Sequence, residues 1–263
     1  MSGDDSTNLS AATARTKKLF DAYEVCNQQQ NRYPEYPFID EPVRRCAAKN
    51  GMLYDIGCGR GYWFNHYQEL GVPKANITGV DLSDAAVSRL HSQGYRAIQA
   101  DSTKMDRVGS EVADLVIATG SLMVTEDTHQ AFKQCRRLMK PGGEILVNLY
   151  NIYHPYFWFI HKLTWPLRTY GEKWVRYWWL PFLFFFQVQN YIRRGCFLNR
   201  PDLEAVFYDQ VMVPFAHLHS VCEVRSWMEE SGLTVLGTGY NLWGSMFWVN
   251  GCLAAKPATD GPR

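Results

Sequence analysis

The sequence predicts an α/β fold built on a doubly wound, mostly parallel seven-stranded sheet. Five short apolar runs alternate with helix-compatible stretches, a pattern typical of βαβ units with right-handed crossovers. They read MLYDIG, NITGVD, YRAIQA, ADLVIA and GEILVNL. Two more strand-like runs, LTVLGTGY and SMFWVNGCLAA, follow a predicted helix, SVCEVRSWMEESGL. A glycine-rich turn, LYDIGCGRG, links the first run to its helix, where a doubly wound sheet binds its ligand.

Composition shifts divide the chain into six predicted parts. Both ends are small and polar and are expected to be disordered. The segment NRYPEYPFIDEP, with three prolines, is expected to be a loop within the N-terminal part. The parts are a tail (1–10), an N-terminal helical lid segment (11–50), an α/β cofactor-binding core (51–150), an aromatic-rich and helical insertion after the fifth strand that serves as a substrate lid (151–220), a C-terminal helix and strands completing the core (221–256), and a second tail (257–263).

Charge and cysteine usage exclude several classes of protein. The 263 residues carry 27 Lys plus Arg and 26 Asp plus Glu, so the net charge of +1 gives no nucleic-acid footprint. The seven cysteines are odd in number and never form CxxC, which argues against a disulfide framework or a zinc ribbon. The polar N-terminus has no apolar signal-peptide core, and we expect a cytoplasmic protein.

The glycine loop predicts a ligand that lies against the backbone. Gly57 and Gly59 are expected to allow close approach, and Gly61 a tight entry into the next helix. Asp55 precedes them at the mouth of the loop, where its carboxylate would repel a pyrophosphate but favour a positively charged amino acid group. These features favour S-adenosylmethionine over a dinucleotide, whose usual loop is GxGxxG.

Two further acids end successive strand-like runs. Asp81 follows the glycine loop by about 20 residues, the position from which an acid accepts ribose hydroxyls. Asp101 closes the run RAIQAD. A purely structural turn remains an alternative for the glycine loop, but it does not explain acids placed in step after successive strands.

Residues from about 50 to 150 resemble the class I S-adenosylmethionine-dependent methyltransferases, which have a Rossmann-like fold. The motifs that carry the resemblance are DIGCGRG, GVDLS, QADSTKM and ADLVIATGSLMVTEDTHQAFKQCRRLMKPGGEILVNLY. The resemblance implies that Asp55, Gly57, Gly59 and Gly61 hold the methionine end of the cofactor. It further implies that Asp81 and Leu82 contact the ribose and adenine, and that Asp101 and Ser102 contact the adenine edge. Thr119 and Gly120 would form the floor below the sulfonium. Many small-molecule members carry one or two histidines after the fourth strand, where this chain has Met123 and Val124.

The insertion holds about half of the chain's aromatic residues, including YWWLPFLFFF. It is expected to form a lid over an apolar acceptor pocket, a homodimer surface, a membrane-surface contact or simply the core of a helical subdomain. Its apolar run of about 10 residues is interrupted by Pro181, whereas a spanning helix needs roughly 20.

The few polar residues near the insertion are candidates for the acceptor site. Tyr150, Tyr153 and Asp209 are predicted substrate-pocket residues. His154, His217 and His219 are predicted catalytic bases, because an imidazole titrates near neutrality. A zinc site in HLHSVC is disfavoured because no fourth ligand is evident, so no metal is expected. Methyl transfer driven by positioning and desolvation, without a base, is an alternative.

The expected activity is S-adenosylmethionine-dependent methyl transfer to a small, largely apolar or aromatic acceptor, such as a specialised metabolite or a lipid-like molecule, with oxygen the favoured atom. A non-catalytic S-adenosylmethionine-binding or partner-binding protein is the rival from another class. A nicotinamide-dependent dehydrogenase is the enzymatic alternative, disfavoured by Asp55 and the glycine spacing.

Overall fold

The computed structural model of the chain describes residues 9–22, 37–170, 197–207, 211–241 and 244–255, together with 181, 183, 184, 186–188, 190–192 and 195. Its central element is a seven-stranded sheet with the order β3-β2-β1-β4-β5-β7-β6. The strands are β1 (Leu53–Ile56), β2 (Ile77–Asp81), β3 (Arg96–Gln99), β4 (Ala113–Thr119), β5 (Met139–Tyr150), β6 (Leu233–Tyr240) and β7 (Met246–Leu253).

The first five strands run parallel, and β7 pairs antiparallel with both β5 and β6. This topology confirms the predicted mostly parallel, doubly wound sheet. Each of the seven apolar runs overlaps one strand, because short β-branched and aliphatic runs between turn residues favour buried extended chain. The strand β5 begins at Met139, four residues before its run.

Helices cover both faces of the sheet and extend beyond it. They are α1 (Ala11–Ala22), α2 (Asp40–Ala48), α3 (Phe64–Glu69), α4 (Asp84–Ser92), α5 (Thr128–Leu138), α6 (Pro155–Tyr170), α7 (Arg200–Phe207) and α8 (Val221–Glu230). The apolar sides of α2, α3 and α4 form one buried cluster with the sheet, and those of α5 and α8 form the other. The helix α8 buries Val224, Trp227 and Met228, as its apolar spacing predicts.

One local prediction needs correction. The proline-rich segment was expected to be a loop through residue 42, but Pro37–Ile39 form a 3-10 turn and α2 already begins at Asp40. Pro42 lies in the first turn of α2, where its missing N–H has no intrahelical partner to lose. Asp40 and Glu41 in the same turn complement the positive end of the helix dipole.

The described residues of the insertion after β5 are mostly helical between 155 and 207, whereas the returning stretch 213–220 is irregular. Helix α6, the described residues between 181 and 192, and α7 supply a third buried cluster of apolar side chains. This cluster includes Ile160, Phe186, Leu203 and Phe207, all at most 5% exposed. Within the described part of the chain, no helix has the length and apolar character needed to cross a membrane.

Candidate cofactor and acceptor site

The carboxyl ends of β1 and β4 lie side by side at the centre of the sheet. The chain leaves β1 toward β2 on one side, whereas β4 pairs with β5 on the other, so this is the topological switch point where open α/β sheets bind ligands. Ser121, which follows β4, donates its hydroxyl to the carbonyl oxygen of Ile56 at 2.6 Å. The two strand ends are therefore fastened together at the mouth of the glycine loop.

The three loop glycines all have left-handed backbones, with φ values of 69°, 53° and 78° for Gly57, Gly59 and Gly61. A Cβ atom on Gly57 would lie 2.2 Å from the Cβ of Ser121, and one on Gly61 would lie 2.6 Å from Leu90. A Cβ atom on Gly59 would meet nothing within 4 Å. The sequence suggested ligand approach for both Gly57 and Gly59, but packing within the protein already requires glycine at 57. Only Gly59 presents an open face.

Asp81 connects the glycine loop to the end of β2. Its two carboxylate oxygens accept the backbone N–H groups of Gly59 at 2.7 Å and Ser83 at 2.9 Å. Burial raises the pKa of Asp81, and these N–H groups oppose the rise because they stabilise the carboxylate. Each oxygen keeps a further lone pair, so the carboxylate can also accept hydroxyl groups from a ligand.

Asp55 lies beneath the loop and is only 2% exposed. Burial raises its pKa to about 7, and the nearby charge of Asp81 adds to the rise. The hydroxyl of Tyr67 on α3 donates to Asp55 at 3.1 Å, and this hydrogen bond opposes the rise in pKa. A buried carboxyl group with one hydrogen bond gains stability as an anion when a cationic group binds beside it.

The predicted adenine residues follow the ends of β2 and β3. The Oδ1 atom of Asp101 accepts both the backbone N–H and the hydroxyl of Thr103, at 2.8 and 2.7 Å. Leu82 and Ser102 are both half-buried. The carbonyl oxygen of Leu82 accepts the side-chain amide of Gln99 at 3.4 Å, which joins the two strand ends. The predicted adenine residues therefore follow two strand ends that are bonded to each other, and they are called the adenine rim below.

The end of β4 carries Thr119 and Gly120, the residues predicted to form the floor of the cofactor cleft. The hydroxyl oxygen of Thr119 is buried, with no hydrogen-bond partner among the described residues. Gly120 adopts φ 71°, and a Cβ there would meet only the methyl carbon of Met246, at 3.9 Å. Its N–H donates to the carbonyl oxygen of Asn148 on β5. The floor thus offers one buried hydroxyl group and an open glycine backbone.

Helix α1 crosses this cleft. Near its start, the Thr13 hydroxyl group donates to Glu126, which follows β4, at 3.2 Å. Near its end, Asp21 accepts the hydroxyl group of Ser83, which follows β2, at 2.6 Å. The strand β1 lies between β2 and β4, so a helix anchored at both must pass over the end of β1. Eight residues of helix span about 12 Å, which matches the roughly 10 Å between strands two places apart.

Ion pairs stabilise the contact between α1 and the segment that follows β2. Lys17 contacts Asp84 at 2.6 Å and Asp21 at 3.0 Å. Partial burial raises the pKa of Asp21, but the hydrogen bond from Ser83 and the contact with Lys17 outweigh it, so the net shift is downward. Leu19 packs against the buried cluster of the insertion. The helix is therefore attached to three parts of the molecule around the cleft.

His217 approaches the end of β4 from the returning segment of the insertion. Its backbone N–H donates to the carbonyl oxygen of Met123 at 2.8 Å. The Nε2 atom of His217 is buried and has no hydrogen-bond partner within the described residues. Met123 lies just after β4, at the position where the family resemblance raises the expectation of a histidine. The fold thus places the backbone of His217 beside Met123, which lies nearly a hundred residues earlier in the chain.

His219 lies beside the end of β5 and is 8% exposed. Its backbone N–H donates to Tyr150, and its carbonyl oxygen accepts from Ile152. Its Nδ1 atom lies 3.1 Å from a carboxylate oxygen of Glu223. Burial lowers the pKa of His219, and the carboxylate of Glu223 opposes this shift. A neutral imidazole with its Nδ1 proton facing Glu223 has Nε2 available as a proton acceptor.

The remaining predicted acceptor residues are placed differently from one another. His154 and His219 lie on adjoining stretches, since the backbone of His154 bonds to Asn151 and Asn151 pairs with His219. Tyr150 is buried, and its ring stacks on Phe157 at 4.0 Å between ring centroids. Tyr153 is 78% exposed, so its side chain lines no enclosed pocket here. Asp209 lies outside the described residues.

Sequence reasoning overlooked three residues that hold the site together. Ser121 fastens β4 to β1, Tyr67 donates to Asp55, and Glu223 faces His219. Only Glu223 had a local signal, because Ser220-x-x-Glu223 is a capping-box pattern and the box is formed. The contacts of Ser121 and Tyr67 depend on pairing between distant segments. In the described residues, no group of three or more His, Cys, Asp or Glu side chains is placed to hold a metal ion.

Comparison with known proteins agrees with this geometry. Residues 54–147 match the family profile described as a methyltransferase domain. A ubiquinone biosynthesis O-methyltransferase from Pseudomonas aeruginosa (strain UCBPP-PA14) is 32% identical over 122 residues, covering 43% of this chain and 49% of the relative. The chain therefore spans about half the length of the curated relatives it matches.

Solved structures share the fold at low sequence identity. An S-adenosylmethionine-dependent methyltransferase from Mesorhizobium loti aligns with a TM-score of 0.53 and 15% identity, over 85% of this chain and 99% of the other. Magnesium protoporphyrin IX methyltransferase from Synechocystis PCC 6803, solved with bound S-adenosylhomocysteine, aligns with a TM-score of 0.52 and 13% identity, over 91% of this chain and 93% of that one.

The chain folds as a Rossmann-like α/β domain with a glycine loop at the switch point of its sheet. Residues 54–147 match a methyltransferase domain, and this match confirms the resemblance to methyltransferases drawn from the motifs.

Proposed function

We propose that this protein is an S-adenosylmethionine-dependent methyltransferase acting on a small, largely apolar acceptor, with a hydroxyl oxygen as the methylated atom. The observation that carries this proposal is the open face of Gly59, whose N–H is held by Asp81 at the switch point of the sheet. The names of the curated relatives support oxygen as the atom, since they specify O-methylation.

The residues present fit this cofactor. Its ammonium group carries a positive charge that suits the buried carboxyl group of Asp55. Its ribose hydroxyls suit the lone pairs that Asp81 keeps after accepting two backbone N–H groups. The buried, unpartnered hydroxyl group of Thr119 at the floor calls for a polar ligand atom. The pyrophosphate of a dinucleotide usually binds at a free helix N-terminus. Here it would instead lie beside the carboxyl group of Asp55, which disfavours a dinucleotide.

When bound, S-adenosylmethionine supplies a methyl group on a positively charged sulfur, which is a good leaving group for in-line displacement. The chain must then orient the acceptor and exclude water, which supports much of the rate without a strong base. In this proposal the helix α1, which is bonded to the ends of β2 and β4, and the insertion, which packs against Leu19 of α1, provide that exclusion. Their apolar side chains favour an acceptor with a large apolar surface.

A proton must also leave an acceptor hydroxyl group. His219 is suited to receive it because burial keeps its imidazole neutral and Glu223 faces its Nδ1 atom. His217 is the second candidate, since its Nε2 atom is buried without a described partner beside the end of β4. Both lie on the segment that crosses the ends of β4 and β5, opposite the adenine rim. His154 is the third candidate.

The test is transfer of label from methyl-labelled S-adenosylmethionine to a panel of small apolar phenols, carboxylic acids and amines. We expect label on a hydroxyl acceptor, and lower turnover for at least one of His217→Ala and His219→Ala with unchanged cofactor affinity. His91→Ala is the matched control, because His91 bonds to the carbonyl oxygen of Ala97 on the far side of the sheet. Label only on amines would refute the choice of oxygen. Full turnover in all histidine variants would favour base-free transfer.

A further inference from the structure

The insertion exposes a concentrated apolar surface. Ten large hydrophobic side chains are exposed within the described residues, and eight of them lie between positions 152 and 197. Trp158, Phe184, Ile192 and Phe197 are between 55% and 73% exposed. A soluble monomer seldom leaves so many large apolar groups bare in one region, so this surface is expected to meet a partner.

The segment between 181 and 192 has two apolar faces. One face carries Leu183 and Phe186, which pack into the buried cluster of the insertion. The other carries Phe184, Val188 and Ile192, which are 73%, 39% and 72% exposed and recur at a spacing of four residues. A helix needs only one apolar face to pack on its own domain. The second face has no covering element among the described residues.

The charge of the same stretch identifies the partner. Residues 151–199 contain six basic residues and one acidic residue, so their formal charge is +5, whereas the whole chain carries +1. The basic residues are Lys162, Arg168, Lys173, Arg176, Arg193 and Arg194, and the acidic one is Glu172. Two copies of this stretch carry charges of the same sign, which disfavours pairing of one copy with another. An anionic surface with an apolar interior complements both the charge and the exposed aromatic side chains.

Trp158 and Lys162 show the pattern on helix α6. They are four residues apart and therefore share one side of the helix, and both are exposed. An exposed tryptophan with a lysine beside it is typical of segments that lie at a membrane–water interface, where the indole enters the headgroup layer and the ammonium group remains with the phosphates.

We infer that the insertion binds the surface of an anionic phospholipid membrane, with the exposed faces of α6 and of the 181–192 segment lying in the headgroup layer. This inference is independent of methyl transfer. In the proposed function the acceptor site lies at the carboxyl edge of the sheet next to the insertion, so membrane contact would bring the site close to lipid-dissolved acceptors.

Vesicle flotation of the protein tests the inference. Vesicles of equal parts phosphatidylglycerol and phosphatidylcholine should carry the protein, and vesicles of phosphatidylcholine alone should carry much less. Phe184→Ser combined with Ile192→Ser should weaken binding at least roughly tenfold, because two exposed apolar side chains are lost from the interface. High salt should also weaken it.

The matched control is Leu236→Ser combined with Tyr240→Ser. These side chains are 52% and 54% exposed but lie on the edge strand β6, outside the insertion. The control should float like the native protein. Failure to float, or equal loss in both double variants, would overturn the inference. So would a dimer, detected by light scattering, that dissociates only when Phe184 and Ile192 are replaced. Circular dichroism establishes that each variant is folded, and single replacements at the same positions serve if a double variant is not.

Discussion

Replacing the loop glycines one at a time separates their two roles. At Gly59, an alanine side chain would enter open space, so the protein should remain folded. The left-handed backbone at this position costs a residue with a Cβ about 1–2 kcal/mol of folding free energy. At Gly57, the same strain applies, and the new Cβ would lie 2.2 Å from the Cβ of Ser121. Neither carbon can rotate away, so the overpacking adds about 1–3 kcal/mol.

These figures translate into thermal shifts and affinities. Gly59→Ala should lower the unfolding midpoint by about 2–8 °C, and Gly57→Ala should lower it further. Gly59→Ala should nevertheless weaken S-adenosylmethionine binding by at least roughly tenfold, because the side chain takes the space that the ligand needs against the backbone. Differential scanning calorimetry and isothermal titration calorimetry measure the two quantities on the same samples.

Gly232→Ala is the matched control. Gly232 has φ 74° and an open Cβ position, as Gly59 has, but it precedes β6 at the opposite edge of the sheet. It should show the same stability loss as Gly59→Ala with native affinity. The reasoning is refuted if Gly59→Ala binds the cofactor as tightly as Gly232→Ala does. Equal stability of Gly57→Ala and Gly232→Ala would refute the packing role of Gly57.

Three further perturbations test the charged groups. The pKa of Asp55 is about 7 in the folded protein and 3.8 in the unfolded chain, so between these values the folded protein keeps a proton that the unfolded chain has released. The unliganded protein should therefore lose stability as the pH rises from about 4 to 7. Denaturant titrations should show a shallower loss of stability over this range for Asp55→Asn. The double variant Lys17→Ala, Asp21→Ala should bind the cofactor a few-fold faster in stopped-flow measurements, because the two replacements free one end of α1. Unchanged association rates would exclude α1 as a lid. Glu223→Gln keeps the helix cap but removes the charge that raises the pKa of His219. The acidic limb of the plot of turnover against pH should therefore move to lower pH. An acidic limb that does not move would exclude His219 as the base.

Much of the core could be predicted because its signals are local. Most strands coincide with a short apolar run bounded by turn residues, and the apolar spacing of α8 lies within a single helix. The place of Asp81 followed from its spacing to the glycine loop. Parallel strands then bring their ends together without any further information.

The contacts across the site could not be predicted in the same way. Nothing within a short window tells that His217 meets Met123, or that α1 joins the ends of β2 and β4. These are pairings between segments far apart in sequence, decided by packing. The distinct roles of Gly57 and Gly59 also depend on Ser121, which is more than sixty residues away. Local pattern gives the residue type, and tertiary contact gives the reason for it.

Calorimetric titration with S-adenosylhomocysteine and NADH tests the central claim, that the loop and Asp81 form a cofactor site for S-adenosylmethionine. The native protein should bind S-adenosylhomocysteine and show no comparable affinity for NADH. Asp81→Ala should lose at least roughly 1.5–3 kcal/mol of binding, the range for hydrogen bonds to a charged group. Asp127→Ala, which removes only the cap of α5 on Gln130, should bind like the native protein. Unchanged affinity in Asp81→Ala, or tight binding of NADH by the native protein, would contradict the account.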